Sequence, residues 1–238
     1  MKGTEKMERL FTEWKDKYPS DVFVKDGIVN DALWNSQPVK PLFLLKEAYG
    51  GECDWSLVEH ISNPKSRTGE PRTCGDTWRR ITQWAYGILN TTEAAVAPFK
   101  PSNLSYTYGN EWLNRIAVMN VKKIDNGKSS SDMQNINQYA ISDGELLRKQ
   151  ISIIDPTVII CGYTISSLNI ILNKTENCGV KDCSDPNDNW YYFTNIGGKR
   201  VVVLDYYHPS NHYPDLLNYY GLMNIYQLAL KKQKNGGI

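Results

Sequence analysis

Pro41-Leu-Phe-Leu-Leu45 runs without interruption into Lys46-Glu-Ala-Tyr-Gly50-Gly51. A stretch of five apolar residues with no polar break reads as a strand covered on both faces, as in a parallel sheet. Further runs repeat the pattern: Ile116-Ala-Val-Met119, Thr157-Val-Ile-Ile160 and Val201-Val-Val-Leu204. Helical periodicity fills the intervals, with helices expected over 5–17, 76–89, 142–154, 165–172 and 216–232. In the second of these, Trp78, Ile81, Trp84, Ala85 and Ile88 recur near a 3.6-residue period behind Asp76 as N-cap. The third opens on Ser142 and Glu145, a capping-box spacing, and stops before Asp155-Pro156. Trp190 to Thr194 and Arg200 to Tyr206, joined through Gly197-Gly198, read as a hairpin feeding the last strand.

Strands alternating with helices imply right-handed crossovers and helices on both faces. The expected fold is therefore α/β: a three-layer α/β/α sandwich around a central four-stranded, mainly parallel sheet. One domain spans 1–238, with 1–40 an N-terminal helical extension that carries no motif. The 238 residues, 41% hydrophobic and 22% charged, suit a single large core. No apolar run is long enough to cross a bilayer, so no membrane partner is expected. The charged N-terminus does not read as a secretory signal, which gives a cytoplasmic protein; a monomer is expected.

The net charge of +1 offers no global argument for nucleic acid. Basic clusters at Lys65–Arg67, Arg72, Arg79–Arg80 and Lys122–Lys123 matter only if the fold gathers them on one face; the Lys231–Lys234 tail reads as solvated surface. Five cysteines at irregular spacing make no disulfide framework, and Cys178 with Cys183 is too weak a pattern for zinc. Cys161, at the end of an apolar run, reads as a buried core thiol.

Ligands of such folds sit beyond the carboxyl ends of the strands. There the sequence sets Lys46-Glu47-Ala48-Tyr49, then Asn120-Val121-Lys122-Lys123, then Gly162-Tyr163, then His208-Pro209-Ser210. A carboxylate, an amide, a glycine and an imidazole converge at one sheet edge. Taken singly, Glu47 could be a surface carboxylate, Asn120 a turn cap, His208 a structural imidazole and Lys122–Lys123 solvated charge.

These segments resemble the uracil-DNA glycosylase-like superfamily. Leu45-Lys-Glu-Ala-Tyr-Gly50 is similar to its first motif, Gly-Gln-Asp-Pro-Tyr-His in one branch and Gly-Glu-Ala-Pro-Gly in others. Met119-Asn-Val-Lys-Lys123 resembles the middle strand motif, and His208-Pro-Ser210 the His-Pro-Ser after the last strand. The resemblance covers the chain from about Pro41 onward. It implies a DNA glycosylase, a hydrolase of N-glycosyl bonds, that needs no cofactor and no metal and leaves an abasic site. Glu47 and His208 fall on catalytic positions. Tyr49 falls where one branch crowds C5 of the base, and Asn120 on the residue that reads the pyrimidine edge. Trp55 and Trp78, with Tyr49, are candidates to stack on a flipped base, although both tryptophans also suit the core. Lys46, Arg79, Lys122 and Lys123 are candidate DNA contacts. Ser210, His212 and Tyr213 belong to a loop expected to enter the minor groove.

The residue types fit that chemistry. Breaking an N-glycosidic bond builds positive charge on the sugar and negative charge on the base. A carboxylate stabilises the first and orients water; an imidazole hydrogen bond stabilises the second. An amide offers a donor and an acceptor to a pyrimidine edge. Departures from the pattern include Lys46, Ala48 in place of Pro, and Gly50-Gly51. Small residues beside Tyr49 leave room for a modified pyrimidine with a bulky C5 group, in DNA repair or antiviral defence. Only Cys53 and Cys74 lie near the region of the family's iron–sulfur ligands, so no cluster is expected. The competing readings are a non-catalytic nucleic-acid- or protein-binding module on the same fold, and a small-molecule α/β enzyme. The lack of a Gly-x-Ser-x-Gly elbow and of a Gly-rich phosphate loop weighs against the latter.

Overall fold

A computed structural model describes residues 3–125, 127, 132–173 and 190–235; Cys178 and Cys183 lie outside them. In chain order the elements are α1 (Gly3–Lys17), β1 (Val22–Lys25), β2 (Gly27–Ile28), α2 (Asp31–Ser36), β3 (Pro41–Leu45), β4 (Trp55–Ser56), α3 (Leu57–Ser62), α4 (Asp76–Asn90) and β5 (Ala117–Asn120). After them come β6 (Ile124–Asp125), α5 (Met133–Ser142), α6 (Gly144–Ile154), β7 (Val158–Gly162), α7 (Ile165–Ile171), β8 (Tyr191–Ile196), β9 (Lys199–Tyr206) and α8 (Asp215–Asn235).

The main sheet has six strands among the described residues, in the order β2-β5-β3-β7-β9-β8. The expected four form its parallel centre, with Leu42 registered on Ala117 and Ile159, and Val158 on Val202. Antiparallel edges, β2 on β5 and β8 on β9, make it six-stranded and mixed rather than four-stranded. Two residues of β2 give too short a signal to read from alternation. A smaller sheet pairs β1 with β4 and β6.

Alternation along the strands sends side chains to two cores. Phe43, Leu45, Val118, Ile160 and Leu204 pack with Trp84 and Ile88 of α4 and with Tyr219 and Met223 of α8. Leu42, Leu44, Met119, Ile159 and Val203 pack with Trp14 of α1, Ile136 of α5, Ile151 of α6 and Leu168 of α7. Helices therefore cover both faces, and Cys161 is a core thiol. At about 25 cal/mol per Å2 of buried apolar surface, this two-sided burial is the main stabilising term.

Residues 1–40 are not an appendage. Met7, Leu10, Phe11, Trp14, Phe23 and Trp34 join the second core, and β1 and β2 each enter a sheet. The Ser142 capping box does not form either: Ser142 ends α5, and α6 starts at Gly144. Asp143, the residue between, turns its carboxylate to the Trp14 indole N–H at 3.0 Å, the Tyr18 hydroxyl at 2.9 Å and Lys17. A carboxylate held by α1 is lost to helix capping, and the chain breaks into two helices there. Helix α4 begins at Asp76 itself, after Gly75, so Asp76 sits in the first turn, where negative charge is favoured, and not at the cap. No helix among the described residues is long and apolar enough to cross a membrane.

Candidate active site

The carboxyl ends of β3, β5 and β9 open on a cleft of about 580 Å3. Its lining includes Lys46, Glu47, Tyr49, Trp55, Trp78, Asn120, His208, Ser210 and His212. The chain's three histidines are all in its wall, because His60 of α3 joins the other two.

Close packing brings the post-strand segments together. Val121 and Lys122 continue the β5–β3 pairing past the strand ends, donating to the backbone oxygens of Leu45 and Lys46, each at 3.0 Å. At the end of β7, a Cβ on Gly162 would press into Leu45 and Pro209. A glycine there lets Leu45 of β3 and Pro209 after β9 approach across the end of β7.

Glu47 is nearly enclosed: its side chain is 4% exposed and accepts from Lys122 Nζ at 2.6 Å. The loop that carries it is held by Asp125, whose Oδ2 accepts from the backbone N–H of Gly50 at 2.7 Å and of Gly51 at 3.0 Å. Partial burial pushes the Asp125 carboxyl up, but the N–H groups of Gly51, Gly127 and Gly50 outweigh it and hold it below its ordinary value. Gly50 has φ +107°, a left-handed conformation, and a Cβ on Gly51 would collide with the Trp55 ring. Both glycines are thus needed for loop geometry.

Asn120 is 2% exposed. Its backbone N–H donates to Asp26 Oδ2 at 2.7 Å, while its side-chain Nδ2 is buried with no hydrogen-bond partner. An unsatisfied amide donor lining a cleft is the arrangement that a ligand acceptor completes.

Around His208, the Ser210 N–H donates to Nδ1 at 3.2 Å, with Ser210 Oγ 2.7 Å from the same nitrogen. Because Nδ1 accepts, the neutral ring carries its proton on Nε2. Burial, with a smaller contribution from the Lys46 charge, pushes the imidazole down to about 4, so it is neutral near pH 7. The loop that holds it is clamped by Arg80, whose Nη1 donates to the backbone oxygens of Pro209 and Asn211, each at 2.6 Å, and whose Nη2 donates to Tyr213 O at 3.2 Å. Asp215 accepts from Arg80 Nη2 at 2.9 Å. Asn211 and Asn218 exchange side-chain hydrogen bonds behind it.

Four of the residues read as DNA or site contacts lie elsewhere. Lys123 is fully buried and pairs with Asp26 at 2.5 Å; burial pulls its ammonium below its ordinary value against the carboxylate's attraction. Lys122 is 2% exposed and committed to Glu47. Neither is free to meet a phosphate: both side chains are enclosed on the second-core side, Lys122 with its ammonium near the Tyr139 ring and Lys123 over the Trp14 ring. Arg79 pairs with Asp215 outside the cleft. Tyr213 is outside the cleft as well, exposed and packed on Tyr207.

Sequence reasoning missed Arg80, Asp125, Asp26 and His60. Arg80 precedes Ile81 on the apolar face of α4, so its burial was readable from the period. His60 has no motif around it; burial and the Arg72 guanidinium, 2.9 Å away, lower its imidazole, and its ring meets Trp55 edge-on at 6.0 Å.

No protein-family model matches this sequence, and no curated protein matches it.

Proposed function

We propose that the cleft receives a flipped-out pyrimidine of DNA and hydrolyses its N-glycosidic bond. The carrying observation is that Glu47, Asn120 and His208, from three separate strand ends, line one cleft. The resemblance to the uracil-DNA glycosylase-like superfamily supports the same reading.

In this reading Asn120 pairs with the base edge through its unsatisfied Nδ2 and its carbonyl oxygen. Tyr49, Trp55 and Trp78 offer faces and edges to the ring. As the C1′–N bond breaks, its electron pair leaves with the base and delocalises onto O2, where the neutral Nε2–H of His208 donates. Water adds to the cationic C1′ and gives its proton to Glu47, which Lys122 holds in place. The volume of the cleft favours a base with a C5 substituent, in repair or antiviral defence. A second reading, a binding module without chemistry, draws on the commitment of Glu47 Oε2 to Lys122.

Oligonucleotides carrying uracil, hydroxymethylcytosine or its glucosylated form, incubated with the protein and then cleaved with alkali at abasic sites, test the proposal. Strand breaks that vanish in Glu47→Gln and fall steeply in His208→Asn are expected. DNA binding without breaks on any of these bases would leave only the module.

A further inference from the structure

Among the described residues, the exposed aromatic side chains are Tyr49, Tyr163, Trp190 and Tyr213. All of them sit at the carboxyl edge of the main sheet. Tyr49 follows β3, Tyr163 follows β7 and Tyr213 follows β9, while Trp190 begins at the level where β9 ends, its backbone oxygen accepting from Asp205 N–H at 2.8 Å. An aromatic ring left in water at one edge only, with the other large aromatics at least partly buried, is a patch in want of a flat partner.

Two features show that the rings are held out and not merely left over. Trp190, Tyr207 and Tyr213 form a continuous run, with ring centres 5.7 Å and then 5.1 Å apart. Tyr163 has φ +62°, a left-handed conformation that disfavours a bulky residue. Its N–H is pinned to the backbone oxygens of Cys161 and Tyr206, at 2.9 and 2.8 Å. The strain is not offset by burial, since the ring is 59% exposed. Strain held in place at a rim is a functional signal when the side chain it presents faces solvent.

Lys46 links this rim to the cleft. It lines the cleft, and its ammonium lies 5.0 Å from the centre of the Tyr163 ring. With a net charge of only +1, and with Lys122 and Lys123 turned inward, phosphate attraction is a weak basis for holding DNA. Stacking is the alternative, and it requires bases that are already unpaired.

We infer that the aromatic rim is a stacking platform for single-stranded DNA, so that the substrate of the cleft is a base in an unpaired strand. The choice of DNA rests on the glycosylase reading; the preference for an unpaired strand rests on the rings alone. Duplex bases bury their faces in the stack and offer nothing to Tyr163 or Tyr213, whereas a single strand offers a face at every nucleotide.

The test is fluorescence anisotropy with fluorescein-labelled oligothymidylate, alone and annealed to oligoadenylate. Neither carries a base to be excised, so binding is read apart from chemistry. The single strand is expected to bind about tenfold tighter than the duplex or better. Tyr163→Ala with Tyr213→Ala is expected to weaken single-strand binding about 25-fold, roughly fivefold for each ring. Tyr163→Phe with Tyr213→Phe, which keeps the rings and loses the hydroxyls, is expected to stay within about twofold of the parent. Equal affinity for duplex, or an alanine pair that binds as the parent does, overturns the platform whether or not any base is released. Single-strand binding that depends on the rings, with no base released from any strand, upholds the platform and sinks the glycosylase instead.

Discussion

Titration of His208 joins the stability of the fold to the proposed chemistry. An imidazole ordinarily titrates at 6.5, and here it is pushed down to about 4. Between those values the unfolded chain binds a proton that the native ring refuses. Stability is therefore complete above about pH 6.5, falls as the pH drops toward 4, and is level below that. At 1.36 kcal/mol per pH unit, the linked free energy has a ceiling of about 3 kcal/mol. Solvent access to the half-buried ring reduces the expected figure to about 2 kcal/mol. Urea unfolding of the parent and of His208→Asn from about pH 7.5 to about pH 4.5 measures it by difference. An asparagine at 208 preserves an acceptor for the Ser210 N–H, and contributions from His60 and Asp125 cancel. The parent's margin over the variant should shrink by about 2 kcal/mol across that range. A difference curve flat to about 0.5 kcal/mol would refute the reasoning: His208 would then protonate in the folded protein as it does in the unfolded chain, and burial in the cleft would not be what keeps the ring neutral.

Three further substitutions probe the site. Asn120→Ala removes a buried donor that has no partner, so stability should change by less than about 1 kcal/mol while base release drops about a hundredfold; calorimetry and the abasic-site assay read the two separately. Arg80→Ala leaves three backbone oxygens without their donor and Asp215 with Arg79 as its remaining arginine, for a loss of about 3 kcal/mol in denaturant unfolding and a His208 signal broadened in NMR spectra. Lys123→Met strands Asp26 in the core; about 3 kcal/mol of stability should go, whereas the salt dependence of DNA binding should be unchanged, because this lysine meets no phosphate.

The parallel centre of the sheet was legible because each run, Pro41 to Leu45 above all, is apolar on both faces. The position of the site followed from it, since residues after parallel strands share an edge whatever separates them in sequence. What escaped is what depends on partners distant in the chain. Lysines after Asn120 look like solvated charge until Glu47 and Asp26 are known to lie beside them. Ser142 and Glu145 have the spacing of a capping box, but nothing local reveals that Asp143 is held by Trp14 and Tyr18, both in or next to α1. Asp125 has no motif around it, and its role appears only when Gly50 and Gly51 turn their N–H groups toward it.

The residues from 120 to 125 bear on why the cleft is built from charges at all. Lys122 meets Glu47, Lys123 meets Asp26, and Asp125 meets the glycine loop. Apolar side chains of similar size would often give a core as stable or more so, because desolvating two ions cancels most of their attraction. What such pairs supply is direction. A carboxylate against a lysine has few orientations, and a backbone N–H donated to Asp26 fixes where the Asn120 side chain begins. One short segment thereby sets the acid, the reading amide and the loop between them to a common frame. Replacing Lys122 and Glu47 together by a methionine and a leucine should test this through binding, since the chemistry goes with Glu47: a protein as stable as the parent whose affinity no longer differs among oligonucleotides carrying different bases is the outcome that a positional role requires.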